Sequence, residues 1–475
     1  MKKSTLSTLV VMGSTLLSRL FGFVRIAAVG AIFGAGGEAD VLNAVFTIPN
    51  NLRKLMAEGA LSSAFIPVLS KSLVLDPTGE RSKKIVRNIF SFQLVVLLPL
   101  LLLSVVFAPT VVRFILDFPE PERLLLSTRL FRWMIHYLLL VSISAVIMGV
   151  INARSSFFIP AVTPILFSVA VISSILLFHE HLGPFAMVVG VLAGGLAQVV
   201  FQLPKLFSYG YDLVPDFRFR NPEFLHVMRQ WLPVVTAASV YTINEQIAIR
   251  FSTALEVGSA SAMSNALVFW QLPFGIFSAV ITTVLFPRMS RKAGLNDFEG
   301  LRSTMEYGFN YLIILLVPAA VFLSIMGKEV ISVALQRGNF TWNHTLLTAR
   351  VLTGFNWGLL SVGAFNFFQR FFYSRDDYRT PLYAAVFVCA EDVLLSLWLK
   401  ETHLRVTGLA IANSLAFTAG LAIMYRSASA ALGGMNGRGI LLTAVKTAAA
   451  VAPGAVFLKV FLAVTGEWWR AGSTL

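Results

Sequence analysis

Ile89-Phe-Ser-Phe-Gln-Leu-Val-Val-Leu-Leu-Pro-Leu-Leu-Leu-Leu-Ser-Val-Val106 carries no charged side chain, and the uncharged run extends from Asn88 to Val112, bounded by Arg87 and Arg113. A helix rises about 1.5 Å per residue, so a run of this length crosses the roughly 30 Å hydrocarbon core of a bilayer. Its apolar residues are continuous rather than alternating, which predicts a helix and not a barrel strand. Similar runs recur along the whole chain. Thirteen are legible, at 5–34, 41–70, 88–116, 124–151, 158–178, 184–208, 228–255, 260–287, 305–326, 346–373, 380–399, 405–426 and 440–463. The composition agrees: 56% of the 475 residues are hydrophobic and 13% are charged, against about 25% charged in a soluble domain. A soluble multidomain enzyme and a disordered chain are both excluded. The first run is not expected to be a cleaved leader, because Arg19 and Arg25 interrupt it.

The net charge is +14. In a soluble protein such an excess suggests nucleic acid; in a polytopic one it is a record of orientation. With Lys2 and Lys3 placed in the cytoplasm, alternation puts 22 basic residues inside and 11 outside, and leaves five within the first, second and seventh segments. The expected orientation is therefore N-terminus inside.

The chain also repeats itself. Asn152-Ala-Arg154 precedes Pro160 as Tyr373-Ser-Arg375 precedes Pro381; Phe65-Ile-Pro67-Val-Leu-Ser70-Lys71 matches Leu285-Phe-Pro287-Arg-Met-Ser290-Arg291; and the glycine-rich run from Gly190 loosely matches that from Gly408. The offsets are 218 to 221 residues. A repeat of six spans, an even number, keeps both copies in one orientation. The expected fold is thus an all-α polytopic membrane protein. Two six-helix lobes, 1–211 and 228–430, are related by a pseudo-two-fold along the membrane normal. A cytoplasmic linker at 212–227 joins them, and an extra helix lies in 431–475.

Ionisable residues inside spans are costly and mark candidate sites. The first segment holds Ser18, Arg19 and Arg25; the second holds Asp40, Asn50, Arg53, Lys54 and Glu58. The excess of arginine suits a phosphate ligand, because the guanidinium donates paired hydrogen bonds and stays charged. Salt bridges from Arg19 or Arg25 to Asp40 or Glu58, and from Lys54 to Glu58, are the structural alternative. In the second half Glu245 either neutralises Arg250 or, with Glu391 and Asp392, supplies a cation or proton site to which Asn244 and Ser396 add neutral oxygens. Headgroup water around Glu391 and Asp392 is the plainer reading. No glycine-rich phosphate loop is present, so ATP hydrolysis is not expected. The turn Gly34-Ala-Gly-Gly37 reads as an exposed hairpin, and the single Cys389 as a buried thiol.

The ordered string Ser18-Arg19-Leu-Phe-Gly22-Phe-Val-Arg25, Asp40, Ile48-Pro49-Asn50-Asn-Leu-Arg53 and Glu58-Gly59-Ala60 through Pro67 resembles the lipid II flippase family MurJ, of the multidrug/oligosaccharidyl-lipid/polysaccharide exporter superfamily. Gln271-Leu-Pro273-Phe-Gly275 and Thr283 to Ser290 extend the likeness into the second half. The resemblance implies a non-enzymatic transporter in the bacterial inner membrane. It implies alternating access and movement of lipid II, an undecaprenyl-diphosphate-linked disaccharide-pentapeptide, to the outer leaflet. Arg19, Arg25 and Arg53 would engage the diphosphate, with Ser18, Asp40, Asn50, Glu58 and Arg250 beside them. No cofactor is expected beyond Na⁺ or H⁺ as coupling ion, and one chain, as a monomer, would suffice. Two departures stand out: Val268 occupies the place of a family arginine in the eighth segment, and Ile249 replaces the acid before Arg250. The family has fourteen helices, whereas thirteen segments are legible here, so the fourteenth is expected to be missing. The competing readings are an exporter of another polyprenyl-diphosphate saccharide or of a drug, and a non-transporting cell-wall scaffold.

Overall fold

A computed structural model describes residues 2–56, 60–76 and 78–470. These residues form eighteen α-helices and one short π-helix, with no strand among them. The expected segments map onto the helices in order. Eight are single helices: α1 (Lys2–Phe33), α8 (Phe158–Leu182), α9 (Phe185–Ser208), α10 (Pro222–Thr253), α13 (Phe298–Leu335), α16 (Arg379–Leu399), α17 (Arg405–Ala431) and α18 (Gly437–Arg470). The other five are broken: α2 (Gly37–Met56) with α3 (Ala60–Leu75), α4 (Glu80–Val106) with α5 (Ala108–Ile115), α6 (Pro121–Met134) with α7 (Tyr137–Ala153), α11 (Ser259–Pro273) with α12 (Ala279–Gly294), and α14 (Trp342–Asn356) with α15 (Leu359–Tyr373). Among the described residues nine stretches are long and apolar enough to cross a membrane, or ten if α14 and α15, bent by 45°, count as one. The segments outside that set, α1, α2 with α3, and α10, are those that carry Arg19, Arg25, Asp40, Arg53, Glu245 and Arg250.

The chain divides into two compact units, 1–33 with 37–246, and 34–36 with 247–475. The first unit reaches past the expected boundary at 211. Residues 212–221, part of the expected linker, lie as a strap on α4. Arg87 forms a two-pronged ion pair with Asp212, with Nε to Oδ1 at 2.7 Å. The Asn88 side-chain amide donates to the Asp216 carbonyl at 2.8 Å, and the Asp216 backbone amide donates to Ser91 Oγ at 2.6 Å. Hydrogen bonding from Arg87 holds the Asp212 carboxyl below its usual range, and Arg218 does the same for Asp216. Phe92 then packs on Phe224 and Trp231, which draws the first part of α10 into the same unit.

Within the first unit, α8 and α9 form a hairpin in which Gly190 and Gly194 let the helices touch. A Cβ at Gly190 would lie 2.7 Å from Val171 Cα, a backbone atom that cannot swing aside. Overpacking costs about 1–3 kcal/mol, with a backbone clash at the upper end, and so outweighs the roughly 1 kcal/mol of helix propensity gained. Gly190→Ala is therefore expected to lower the thermal midpoint in detergent; an unchanged or raised midpoint would contradict this. In the second unit Gly408 of α17 meets α16 in the same way, where a Cβ would lie 2.8 Å from the Leu399 carbonyl oxygen. The repeated turns match in finer detail. Ser155 and Asp376 both sit at φ +58°. The next amide in each turn bonds back five residues, Ser156 N to Ile151 O at 3.1 Å and Asp377 N to Phe372 O at 3.0 Å.

The glycine turn after α1 is not an exposed hairpin. Ala35 is buried, and Gly34 at φ +71° would place a Cβ 2.9 Å from Asn339 O. Only glycine meets both demands without strain.

Candidate functional site

Arg25 lies on α1 beside an aromatic trio drawn from three other helices of the first unit. Phe46 (α2) and Phe167 (α8) have ring centroids 6.2 Å apart, and Tyr137 (α7) is 5.1 Å from Phe167. The Arg25 guanidinium stands over the two phenylalanine rings, 5.6 Å from Phe46 and 5.2 Å from Phe167. Ring faces are the negative poles of the aromatic quadrupole, so they hold the cation and fix its plane. Arg25 makes no ion pair among the described residues. Stacking engages the face of the guanidinium, so its N–H edge is the part suited to donate to an anion.

Arg53 stands in the last turn of α2. Asn50, three residues earlier, accepts from its Nε at 3.2 Å and its Nη2 at 3.0 Å. Arg25 packs on Phe46 of α2, the helix that carries Arg53 two turns further on. Two of the three expected arginines are thus brought near one another. Arg19 is exposed on α1, and Ser18 beside it is half-buried. Glu58, and with it the expected Lys54–Glu58 pair, lies outside the described residues.

The acids depart from expectation. Asp40 is not the counter-charge of Arg19 or Arg25. Its side chain is 2% exposed and accepts from Arg123 Nη2 of α6 at 2.8 Å. Arg123 also reaches Glu120 at 3.0 Å and covers the Phe118 ring at 4.5 Å. Asp40 lies in the first turn of α2 and Arg53 in its last, so Asp40 braces α2 against α6 at the far end from the arginine pair. Glu245 pairs with Lys54 at 2.6 Å, a partner the sequence does not suggest, and the neighbouring Gln246 accepts from Asn51 at 3.4 Å. A carboxylate already held by an ammonium is a poor cation ligand.

In the second unit, Asp392 is not bathed in headgroup water. It is buried within α16, where Ser396 Oγ donates to its Oδ1 at 3.2 Å and Asn413 of α17 donates to its Oδ2 at 2.7 Å. Glu391 Oε2, next door, is buried with no hydrogen-bond partner among the described residues. No three acidic, histidine or cysteine side chains among those residues gather as a metal site. Cys389 is half-buried on the same helix. Arg250 is half-buried near the end of α10, and Val268 is half-buried on α11. The Leu-Pro-x-Gly motif runs into the π-helix Phe274–Ser278, and Trp270 stacks on Phe274 at 5.2 Å. Such a break is a frequent mark of functional helices.

Phe46, Tyr137 and Phe167 escape sequence reasoning, because forty phenylalanines hide any particular pair. Arg123 escapes it too; the one sign of it is a carboxylate in the first turn of a span, which needs a partner. Asn413 is visible as a lone amide in the apolar run 405–426.

The family model described as "Lipid II flippase MurJ" matches residues 29–475. The chain is 34% identical over 425 residues to a Borreliella burgdorferi protein named "Probable lipid II flippase MurJ", covering 90% of this chain and 83% of that one. A Vibrio cholerae protein of the same name is 29% identical over 437 residues, covering 90% and 83%. Among solved structures, a lipid II flippase MurJ in an inward closed conformation superposes with TM-score 0.80 at 20% identity, covering 98% of this chain and 99% of that one. An inward-facing multidrug transporter of the MATE family matches with TM-score 0.69 at 15% identity, covering 90% and 98%. These last two likenesses speak to the fold.

Proposed function

The chain belongs to the lipid II flippase MurJ family, and from that premise we propose that it moves lipid II across the bacterial inner membrane by alternating access, with Arg25 and Arg53 engaging the diphosphate. It is a transporter and not an enzyme. The observation that carries the reading of the site is Arg25, a cation held by ring faces instead of by a carboxylate. Arg25 is half-buried, so part of its hydration is lost, and an anion at its N–H edge would make that loss good. A diphosphate supplies that anion, and the planar fork of arginine fits it with paired hydrogen bonds. Asn50 steadies Arg53 for the same task, and Arg19 and Ser18 extend the site along α1. The 22-to-11 division of basic residues supports a cytoplasmic N-terminus. One chain suffices, as a monomer.

Expression of this chain in bacteria depleted of their own lipid II flippase tests the function. Restored growth and cell shape are expected; lysis despite normal membrane levels would count against it.

For coupling to Na⁺ or H⁺, the observations favour Asp392 over Glu245. Asp392 is buried and met by neutral donors, whereas Glu245 already has Lys54. In proteoliposomes, Asp392→Asn is expected to remove the dependence of flipping on an imposed pH or sodium gradient. Glu245→Gln should leave it, because a half-exposed ion pair is worth at most about 1 kcal/mol. The reverse outcome would move the coupling site to α10.

A further inference from the structure

The second unit contains a polar cavity of about 410 Å³ that the transport site does not use. It lies where α12 ends, α13 begins and the α15–α16 turn closes over them. Its walls carry two cations, Lys292 and Arg375, and two carboxylates, Asp297 and Asp376. Its size falls within the roughly 300–1,000 Å³ of small-molecule sites.

The cations are prepared on their inner sides. Arg375 is stacked against Phe298 and Phe371, 5.6 Å from each ring. Its hydrogen bond from Nη1 to the Ala431 carbonyl is long, at 3.5 Å. Lys292 Nζ donates to Gly300 O at 2.7 Å and to Thr304 Oγ1 at 2.9 Å, which leaves the third of its protons. The carboxylates are placed differently. Asp297 caps α13 by accepting from the Gly300 amide at 2.8 Å, and Asp376 occupies the left-handed position of the turn, where it is exposed. The repeat gives a reference. In the first unit the corresponding arginine, Arg154, is covered by the rings of Tyr209 and Tyr211 at 5.7 and 5.5 Å, both from the segment that follows α9. In the second unit the segment after α17 is Leu432-Gly-Gly-Met-Asn436, which brings no such ring.

We propose that this cavity binds the headgroup of a zwitterionic aminophospholipid, with the phosphate on Arg375 and Lys292 and the ammonium toward Asp376 and Asp297. The charge pattern makes the choice. A purely anionic headgroup would meet the two cations but also two carboxylates, whereas a phosphate ester bearing an ammonium satisfies both signs. Arg288 and Arg291 lie in the later part of α12 and Arg302 near the start of α13, and such a basic cluster suits the phosphate level of a bilayer.

The test uses the full chain in nanodiscs holding equal amounts of phosphatidylethanolamine and phosphatidylglycerol, with the lipids retained on release counted by native mass spectrometry. Retention of the ethanolamine lipid over the glycerol lipid by about tenfold is expected, the effect of one charge-assisted hydrogen bond. Arg375→Gln should lose both lipids. Asp376→Asn should abolish the preference and keep the phosphate contact; Asn tolerates a left-handed backbone, so folding is preserved. Equal retention of the two lipids by the wild type, undiminished retention by Arg375→Gln, or an unchanged preference in Asp376→Asn would overturn the proposal. Inorganic phosphate at millimolar concentration should not displace the lipid; displacement would assign the cavity to a soluble anion and overturn the lipid reading.

Discussion

Arg25→Ala abolishes rescue of flippase-depleted bacteria while the protein still reaches the membrane: this is the expected result at the transport site. The alanine leaves Phe46 and Phe167 in place and removes the cation stacked on them, the group proposed to engage the diphosphate. Truncating one partner of a buried charge pair costs about 2–5 kcal/mol; Arg25 is half-buried, so the low end, a factor of roughly thirty in substrate engagement, is expected. Arg25→Lys is the sharper variant. It keeps the charge but loses the planar fork and the stacking, so rescue should remain poor. Arg53→Ala should fail in the same assay, whereas Asn50→Ala should weaken it, since Asn50 only orients Arg53. Full rescue by the alanine variants at both Arg25 and Arg53 would remove the diphosphate contact from the mechanism.

Arg123→Ala should instead destabilise the protein. It would leave Asp40, 2% exposed at its side chain, without its Arg123 ion pair. Breaking one side of a buried ion pair costs about 3–5 kcal/mol, because the remaining charge stays out of water. The thermal midpoint in detergent should fall markedly. Asp40→Asn combined with Arg123→Ala should recover part of the loss, since the stranded charge is gone. Strict additivity of the two single changes would show that the pair is not coupled. The same experiment separates stability from transport, because Arg123 braces α2 against α6, whereas Arg25 and Arg53 are the residues proposed to meet substrate.

The spans are legible in the sequence because apolar continuity is a one-dimensional property. Arg19, Arg25 and Arg53 are legible because charge inside such a run is conspicuous. The partners of the in-span charges are not legible. Asp40 and Arg123 are 83 residues apart, and Lys54 and Glu245 are 191 apart. Acids nearby in the chain therefore look like better partners than the ones the fold selects. The strap at 212–221 is a related case: Pro, Asp and Arg mark a cytoplasmic linker, but the α4 counterparts of Asp212 and Asp216 lie 125 residues away. The repeat, by contrast, is visible as three short matches, and the structure carries it further than side chains do.

That last feature bears on ancestry. Ser155 and Asp376 hold the same left-handed torsion, which is costly for residues that carry a Cβ, in turns that share the preceding arginine but differ on either side of it. The two halves of the chain are best understood as products of a tandem duplication. What persisted between the copies is the path of the main chain through a tight corner, while the chemistry lining each corner drifted, to tyrosines stacked on Arg154 in one and an open polar cavity beside Arg375 in the other.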